Sequence, residues 1–262
     1  MSFDDQIVYE DDDMLVLNKQ AGVVVNRAQS VRDETIQDWI EEYLQGVDHS
    51  PALWSSLIPD DFTGEYGSPE EVFAERSGIA HRLDKDTSGA LIIAKNPGSL
   101  IALLRQFHDR QIKKTYTALA HGVLPLTEEL FSAPIARLPG KTGKFGIVAT
   151  GRPSETVFRA IKHFSISRPE WPEFYGEFSL VEAKPRTGRT HQIRIHLAYL
   201  SHPIVSDMLY VGRKHLRIDK QWCPRQFLHA SEIAFIHPRT RKEVVVRTDL
   251  AGDLKQVLQT LA

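Results

Sequence analysis

Residues 81–95 read His-Arg-Leu-Asp-Lys-Asp-Thr-Ser-Gly-Ala-Leu-Ile-Ile-Ala-Lys. Seven of the first nine positions carry polar or ionisable side chains, and they lead directly into Ala90–Lys95, an apolar run that reads as a buried strand. So many polar groups beside a buried strand are costly without a purpose. The ordinary reading is a polar turn capped by Asp86 or Ser88.

Working outward, Ile7-Val8-Tyr9-Glu10 and Met14-Leu15-Val16-Leu17 flank a three-acid turn and predict a β-hairpin, followed by a Gly22 turn and Val23–Val25. Ile36, Trp39, Ile40 and Tyr43 have helical spacing within 32–45. Residues 47–78 are rich in Pro, Gly, Ser and acids, and read as a long acidic loop with at most a short helix near Pro69–Glu75. Ser99–His108 reads as a helix and Lys113–His121 as a strand ending at Gly122. Glu155–His163 and Glu177–Ala183 read as strands, Arg189–Leu200 as a helix, Ile233–Ile236 with Glu243–Val246 as a hairpin, and Leu254–Leu261 as a terminal helix. Strands linked by hairpins outnumber helices. The expected class is therefore α+β with a largely antiparallel or mixed sheet flanked by helices and loops, in a single catalytic domain over 1–262.

The 262 residues carry a net charge of −2, which as an average argues against a strongly basic nucleic-acid binder. Charge is unevenly placed: residues 1–80 hold 18 acids and 4 bases, whereas the remainder holds 16 acids and 28 bases. Such asymmetry fits a polyanion partner for the basic part, or simply two solvated surfaces. The lone Cys223 excludes an internal disulfide and reads as an incidental thiol. No apolar run suits a membrane span and the acidic start does not suit a signal peptide, so the expectation is a cytosolic protein with no membrane contact.

Three chemistries compete at residues 81–89. Asp84-x-Asp86-x-Ser88-Gly89 opens like an EF-hand loop, but its twelfth position is Lys95, which repels calcium. Asp84-x-Asp86-Thr87 weakly resembles an Asp-x-Asp-Thr phosphotransferase, although Asp207 and Asp219 lack a supporting motif. The third is a lone nucleophilic carboxylate kept ionised by a nearby arginine.

A second dense segment runs from Lys184 to Leu197. Ile193, His196, Leu197 and Leu200 share one helical face, and Arg194 lies on another. Arg186 and Arg189 flank Gly188 at the expected helix start, either as a phosphate seat or as solvated cations. His191 and His196 are five apart, wrong for two zinc ligands on one face. Lys114 and Tyr116 share a strand face. Neither a Gly-rich phosphate loop nor a Gly-x-Ser-x-Gly elbow occurs.

Taken in order, five blocks resemble the RluA-type pseudouridine synthases. They are Ile7–Asp13 with Val16-Leu17-Asn18-Lys19 and Gly22; His81–Gly89; Lys114-Thr115-Tyr116; Gly188–Leu197 with Pro203-Ile204, Asp207 and Tyr210; and Leu228-His229-Ala230 with Phe235 and His237-Pro238. Gln20 stands where that family usually has proline and Asn26 where histidine is common. The resemblance covers roughly residues 6–247. It implies a pseudouridine synthase fold without the small N-terminal RNA-binding module of some members, and isomerisation of uridine in ribosomal or transfer RNA with no cofactor or metal. It implies Asp84 as nucleophile or charge partner, Tyr116 stacked on the target base, and Arg194 paired with Asp84. Arg82 would hold or replace the flipped nucleotide. Leu228 would line the pocket, and His81, Lys114, Arg186, Arg189 and His191 would complete the RNA-contacting set. A monomer is expected. A non-catalytic RNA-binding or ribosome-assembly protein on the same fold is the alternative.

Overall fold

The computed structural model describes residues 2–28, 31–140 and 143–261. In chain order the elements are β1 (Ile7–Glu10), β2 (Met14–Lys19), α1 (Ile36–Tyr43), α2 (Pro51–Trp54), α3 (Pro69–Arg76), β3 (Ser88–Ala94), α4 (Pro97–His108), β4 (Lys113–His121), β5 (Glu129–Ser132), β6 (Ile135–Arg137) and β7 (Phe145–Ile147). They continue with β8 (Glu155–Ser165), β9 (Glu177–Pro185), α5 (Gln192–Tyr199), α6 (Arg213–Asp219), β10 (Leu228–Ile236), β11 (Glu243–Arg247) and α7 (Gly252–Gln259). The class is α+β, as the pattern predicts. The chain divides into two compact units, residues 1–112 with 232–249, and residues 113–231 with 250–262.

In the first unit, β1, β2 and β3 pair antiparallel in that order, and the end of β10 pairs antiparallel with β11. Both β2 and β3 are buried along nearly their whole length, which explains why their sequences run apolar instead of alternating. Met14, Val16, Ile92, Leu100, Leu103, Ile233 and Phe235 form the core. Val23–Val25 is not a strand. Instead the carbonyls of Val24 and Val25 accept from the first amides of α1, Ile36 and Gln37, at 3.0 Å each, meeting part of that helix's unpaired N-terminus.

Residues 47–78 are more structured than a loop. Besides α2 and α3 they contain a 3₁₀ turn at Ser55–Leu57, and Trp54 and Leu57 are buried. Helix α4 meets this segment at Gly98, where a Cβ would lie 2.2 Å from the Trp54 carbonyl oxygen, so only glycine fits. The composition misleads because three buried apolar anchors, Trp54, Leu57 and Val72, suffice to seat a mostly polar segment.

In the second unit, β4, β9, β8 and β5 pair antiparallel in that order, and β6 with β7 forms a separate hairpin. Leu119, Phe158, Phe178, Val181, Leu197 and Phe227 lie in its core. Strands β5, β6 and β7 and helix α6 were not expected; each is short and carries no long apolar period. Helix α5 starts at Gln192, not Arg189, because His191 adopts a left-handed backbone with φ of 56°.

His196 of α5 is fully buried, its ring nitrogens 2.9 Å from Ser154 Oγ and 3.0 Å from Thr156 Oγ1. Desolvation pushes its pKa down to about 4. Between about pH 6.5 and 4 the unfolded chain binds a proton that the folded chain does not, so stability is present above pH 6.5 and drains as pH falls towards 4. The expected loss is about 3 kcal/mol. Urea unfolding at several pH values should show this slope, and His196→Gln should flatten it. A slope unchanged in that variant would exclude His196 as its source.

Candidate active site

In the first unit the polar segment is a tight turn sewn to its surroundings through its backbone. The Thr87 amide donates to the Asp84 carbonyl at 3.1 Å, and Gly89 turns into β3 at φ of 112°. The Lys85 carbonyl accepts from the Gly22 amide at 2.9 Å and from Lys19 Nζ at 3.1 Å. Lys19 is wholly buried and also donates to the carbonyls of Gln20 at 2.7 Å and Val23 at 2.9 Å. These three acceptors match the three protons of an ammonium group. His81 Nε2 accepts from the Ile92 amide at 3.1 Å, which requires a neutral ring, and the ring packs 4.9 Å from Phe107. His81 therefore holds the turn against β3. Leu83 plugs the core, Asp84 is half-buried, and Arg82 and Lys85 are exposed.

In the second unit Tyr116 lies on β4 opposite Ala183 of β9, partly buried against the core. Lys114 lies two residues earlier on the same face, and burial pushes its pKa down to about 8. The Gly188 turn passes beside it: a Cβ on Gly188 would be 3.7 Å from Lys114 Nζ. Gln192 shapes this turn, its Oε1 accepting from Thr187 Oγ1 at 2.7 Å and the Arg189 amide at 3.0 Å. Arg186 is exposed, 3.9 Å from Glu155, and Arg189 Nε donates to the Pro153 carbonyl at 3.2 Å. Leu228 is buried at the start of β10.

Arg194 is buried and grips Asp207 through two bonds, Nε to Oδ2 at 2.7 Å and a terminal nitrogen to Oδ1 at 2.8 Å. Asp207 Oδ1 also accepts from the amides of Leu209 at 3.0 Å and Tyr210 at 3.2 Å. The Tyr210 ring lies 5.2 Å from the Arg194 guanidinium, and its hydroxyl meets His191 Nδ1 at 2.9 Å and the Phe145 amide at 3.2 Å. Lys144 lies over the Tyr210 ring and Arg137 over the Phe145 ring. Asp207, Tyr210 and the β6–β7 hairpin were given no role from sequence. Pro139-Gly140 and Gly143 mark the hairpin's turn. Asp207 falls within a resembling block, but its pairing with Arg194, thirteen residues away, leaves no local pattern. His191 and His196 take wholly different partners, Tyr210 and the Ser154–Thr156 hydroxyls.

Two further groups bear on chemistry. Among the described residues one set of potential metal ligands, Asp11, Asp13 and His237, comes together within 4.8 Å. Asp13 is already held by both arms of Arg239 at 2.6 Å each and by Asn96 at 3.0 Å. Burial alone would raise the Asp11 pKa, but bonds from Tyr9, the Asp13 amide and His237 outweigh it and hold the carboxyl low. The set is a lock joining the β1–β2 turn to residues after β10. Cys223 is buried with its pKa pushed up to about 12 by desolvation, which keeps it a thiol. Among the described residues no helix is long and apolar enough to cross a membrane.

The family model described as RNA pseudouridylate synthase matches residues 13–199. Ribosomal large subunit pseudouridine synthase C of Buchnera aphidicola is 33% identical over 260 residues, 97% of this chain and 70% of that protein. The protein of the same name from Vibrio cholerae is 34% identical over 254 residues, 96% of this chain and 68% of that one. The solved human RNA pseudouridylate synthase domain containing 1 superposes with a TM-score of 0.65 at 26% identity, covering 98% of this chain and 94% of that one. The matched span contains the turn at Asp84, the Tyr116 strand and the Arg194 helix together, and the chain belongs to the RNA pseudouridylate synthase family.

Proposed function

We propose that this chain converts one or more uridines of large-subunit ribosomal RNA to pseudouridine, with Asp84, Tyr116 and Arg194 as its catalytic set. The observation that carries the choice of RNA is the likeness, over nearly the whole chain, to proteins named ribosomal large subunit pseudouridine synthase. The reaction breaks the N1–C1′ glycosidic bond, turns the base, joins C5 to C1′, and moves a proton from C5 to N1. Atoms are conserved, so no co-substrate is consumed.

Asp84 acts as nucleophile or charge partner towards the ribose or base, on a turn whose backbone is fixed by Lys19, Gly22 and His81. Tyr116 stacks on the base and takes part in removing the C5 proton. Arg194 is the charge partner of Asp84, and its orientation is set by Asp207. The exposed Arg82 holds the extruded nucleotide or fills the gap it leaves. Extrusion costs a few kcal/mol, which phosphate contacts from Arg186, Arg189, His191 and Lys114 offset, with Leu228 lining the pocket. In this reading the two units work as one catalytic domain, in a cytoplasmic monomer that needs no cofactor or metal.

Carbodiimide primer-extension mapping of total RNA, from cells with and without the gene, is the test. A stop in large-subunit ribosomal RNA that vanishes without the gene is expected. A lost stop in transfer RNA alone would reassign the substrate, and no lost stop would overturn the reading.

A further inference from the structure

In the second unit, away from every residue assigned above, an open groove of about 860 Å³ runs between the β8–β9 connection and α6. One wall is Pro169, Trp171, Pro172 and Phe174; the other carries Arg213, Lys214 and Arg217. We propose that this groove is a second RNA-binding surface, taking an unpaired stretch of the substrate RNA with one base stacked on Phe174 and its phosphates on the three cations. This rests on the RNA-modifying reading above.

The aromatic wall has two different parts. Trp171 is fixed: the Arg168 guanidinium lies 4.6 Å from its ring centre and Tyr175 packs edge-on at 4.7 Å. Phe174 is 55% exposed, held edge-on to His215 at 5.3 Å. An exposed phenylalanine offers water a ring face that a nucleobase covers well, and such stacking tolerates any base.

Arg213, Lys214 and Arg217 are exposed, and among the described residues none of them forms an ion pair. Arg213 and Arg217 are one helical turn apart and so are neighbours on the helix surface. One carboxylate, Glu170, lines the same groove, leaving its charge clearly positive. Exposed cations beside an exposed aromatic ring are the two components of single-strand recognition. A protein partner would call for a broader apolar centre than one exposed ring.

The groove is separate from the catalytic residues of its own unit. His121, at the end of β4, packs 4.6 Å from His215 of α6. Tyr116 lies five residues earlier on the same strand, about 16 Å away. The surface therefore holds RNA beyond the target uridine and acts on affinity, not on chemistry.

The test uses the full chain, a fluorescein-labelled oligouridylate of about 12 nucleotides as binding probe, and ribosomal RNA transcript as substrate. Replacing Arg213, Lys214 and Arg217 together by serine should lower the slope of log affinity against log salt by about 2. Phe174→Ala should weaken binding about tenfold with the slope unchanged. Both variants should keep the wild-type melting temperature and kcat while raising KM on the transcript. Wild-type binding and slope in both variants would overturn the groove alone. Displacement of the probe from wild type by oligoglutamate as readily as by RNA would overturn it in favour of an acidic protein partner. A wild type that binds RNA but forms no pseudouridine contradicts the catalytic reading and leaves the binding result to stand or fall separately.

Discussion

Asp84→Asn abolishes pseudouridine formation, by at least about 10⁴-fold in single-turnover rate, while RNA affinity stays near wild type. The amide is nearly the same size and keeps one acceptor oxygen, but it is neutral and is not a nucleophile. The turn should survive the change, because backbone groups anchor it: the Thr87 amide on the Asp84 carbonyl, and the Lys85 carbonyl on Gly22 and Lys19. Release of tritium from RNA labelled at uridine C5 reads the chemistry, thermal unfolding reads the fold, and gel shift reads binding. Activity within tenfold of wild type would remove Asp84 from the catalytic set. Loss of RNA binding together with activity would make Asp84 a binding residue instead.

Asp207→Ala destabilises the protein by about 3–5 kcal/mol, because it removes the two-pronged carboxylate that grips the buried Arg194 guanidinium. Arg194→Ala should cost less stability, since the Asp207 carboxylate keeps the Leu209 and Tyr210 amides as donors. The order reverses for catalysis if Arg194 also serves Asp84: Arg194→Ala then loses more activity than its stability loss explains. Arg194→Lys should not rescue, because an ammonium cannot reproduce the two-pronged grip on Asp207. Urea unfolding alongside tritium release separates the two effects. Equal, small stability losses in both alanine variants would refute the importance of the pair.

Much of this protein is legible along the chain. Strand β4 has the residues expected, because Lys113–His121 alternates and stops at Gly122, whose φ of 79° suits glycine. The polar run before Ala90 marks the turn at Asp84, because water-seeking side chains next to a buried strand must be held by something. Helices α1 and α4 follow from apolar spacing, with ends set by Thr35 and Asn96, whose side chains accept from Asp38 and Ser99 amides.

Tertiary structure alone decided how charges are buried. Helical spacing puts Arg194 off the apolar face of α5, yet it is buried, because Asp207 neutralises it from another part of the chain. Lys19 likewise looks like a surface lysine at the end of a strand, but three carbonyls, one of them 66 residues away, take its protons. The acidic segment 47–78 reads as solvated, yet Trp54 and Leu57 anchor it. Local pattern determines which residues become helix or strand, since that choice depends on neighbours a few positions away. Burial of a charge depends on a partner distant in sequence, and only the folded chain brings the two together.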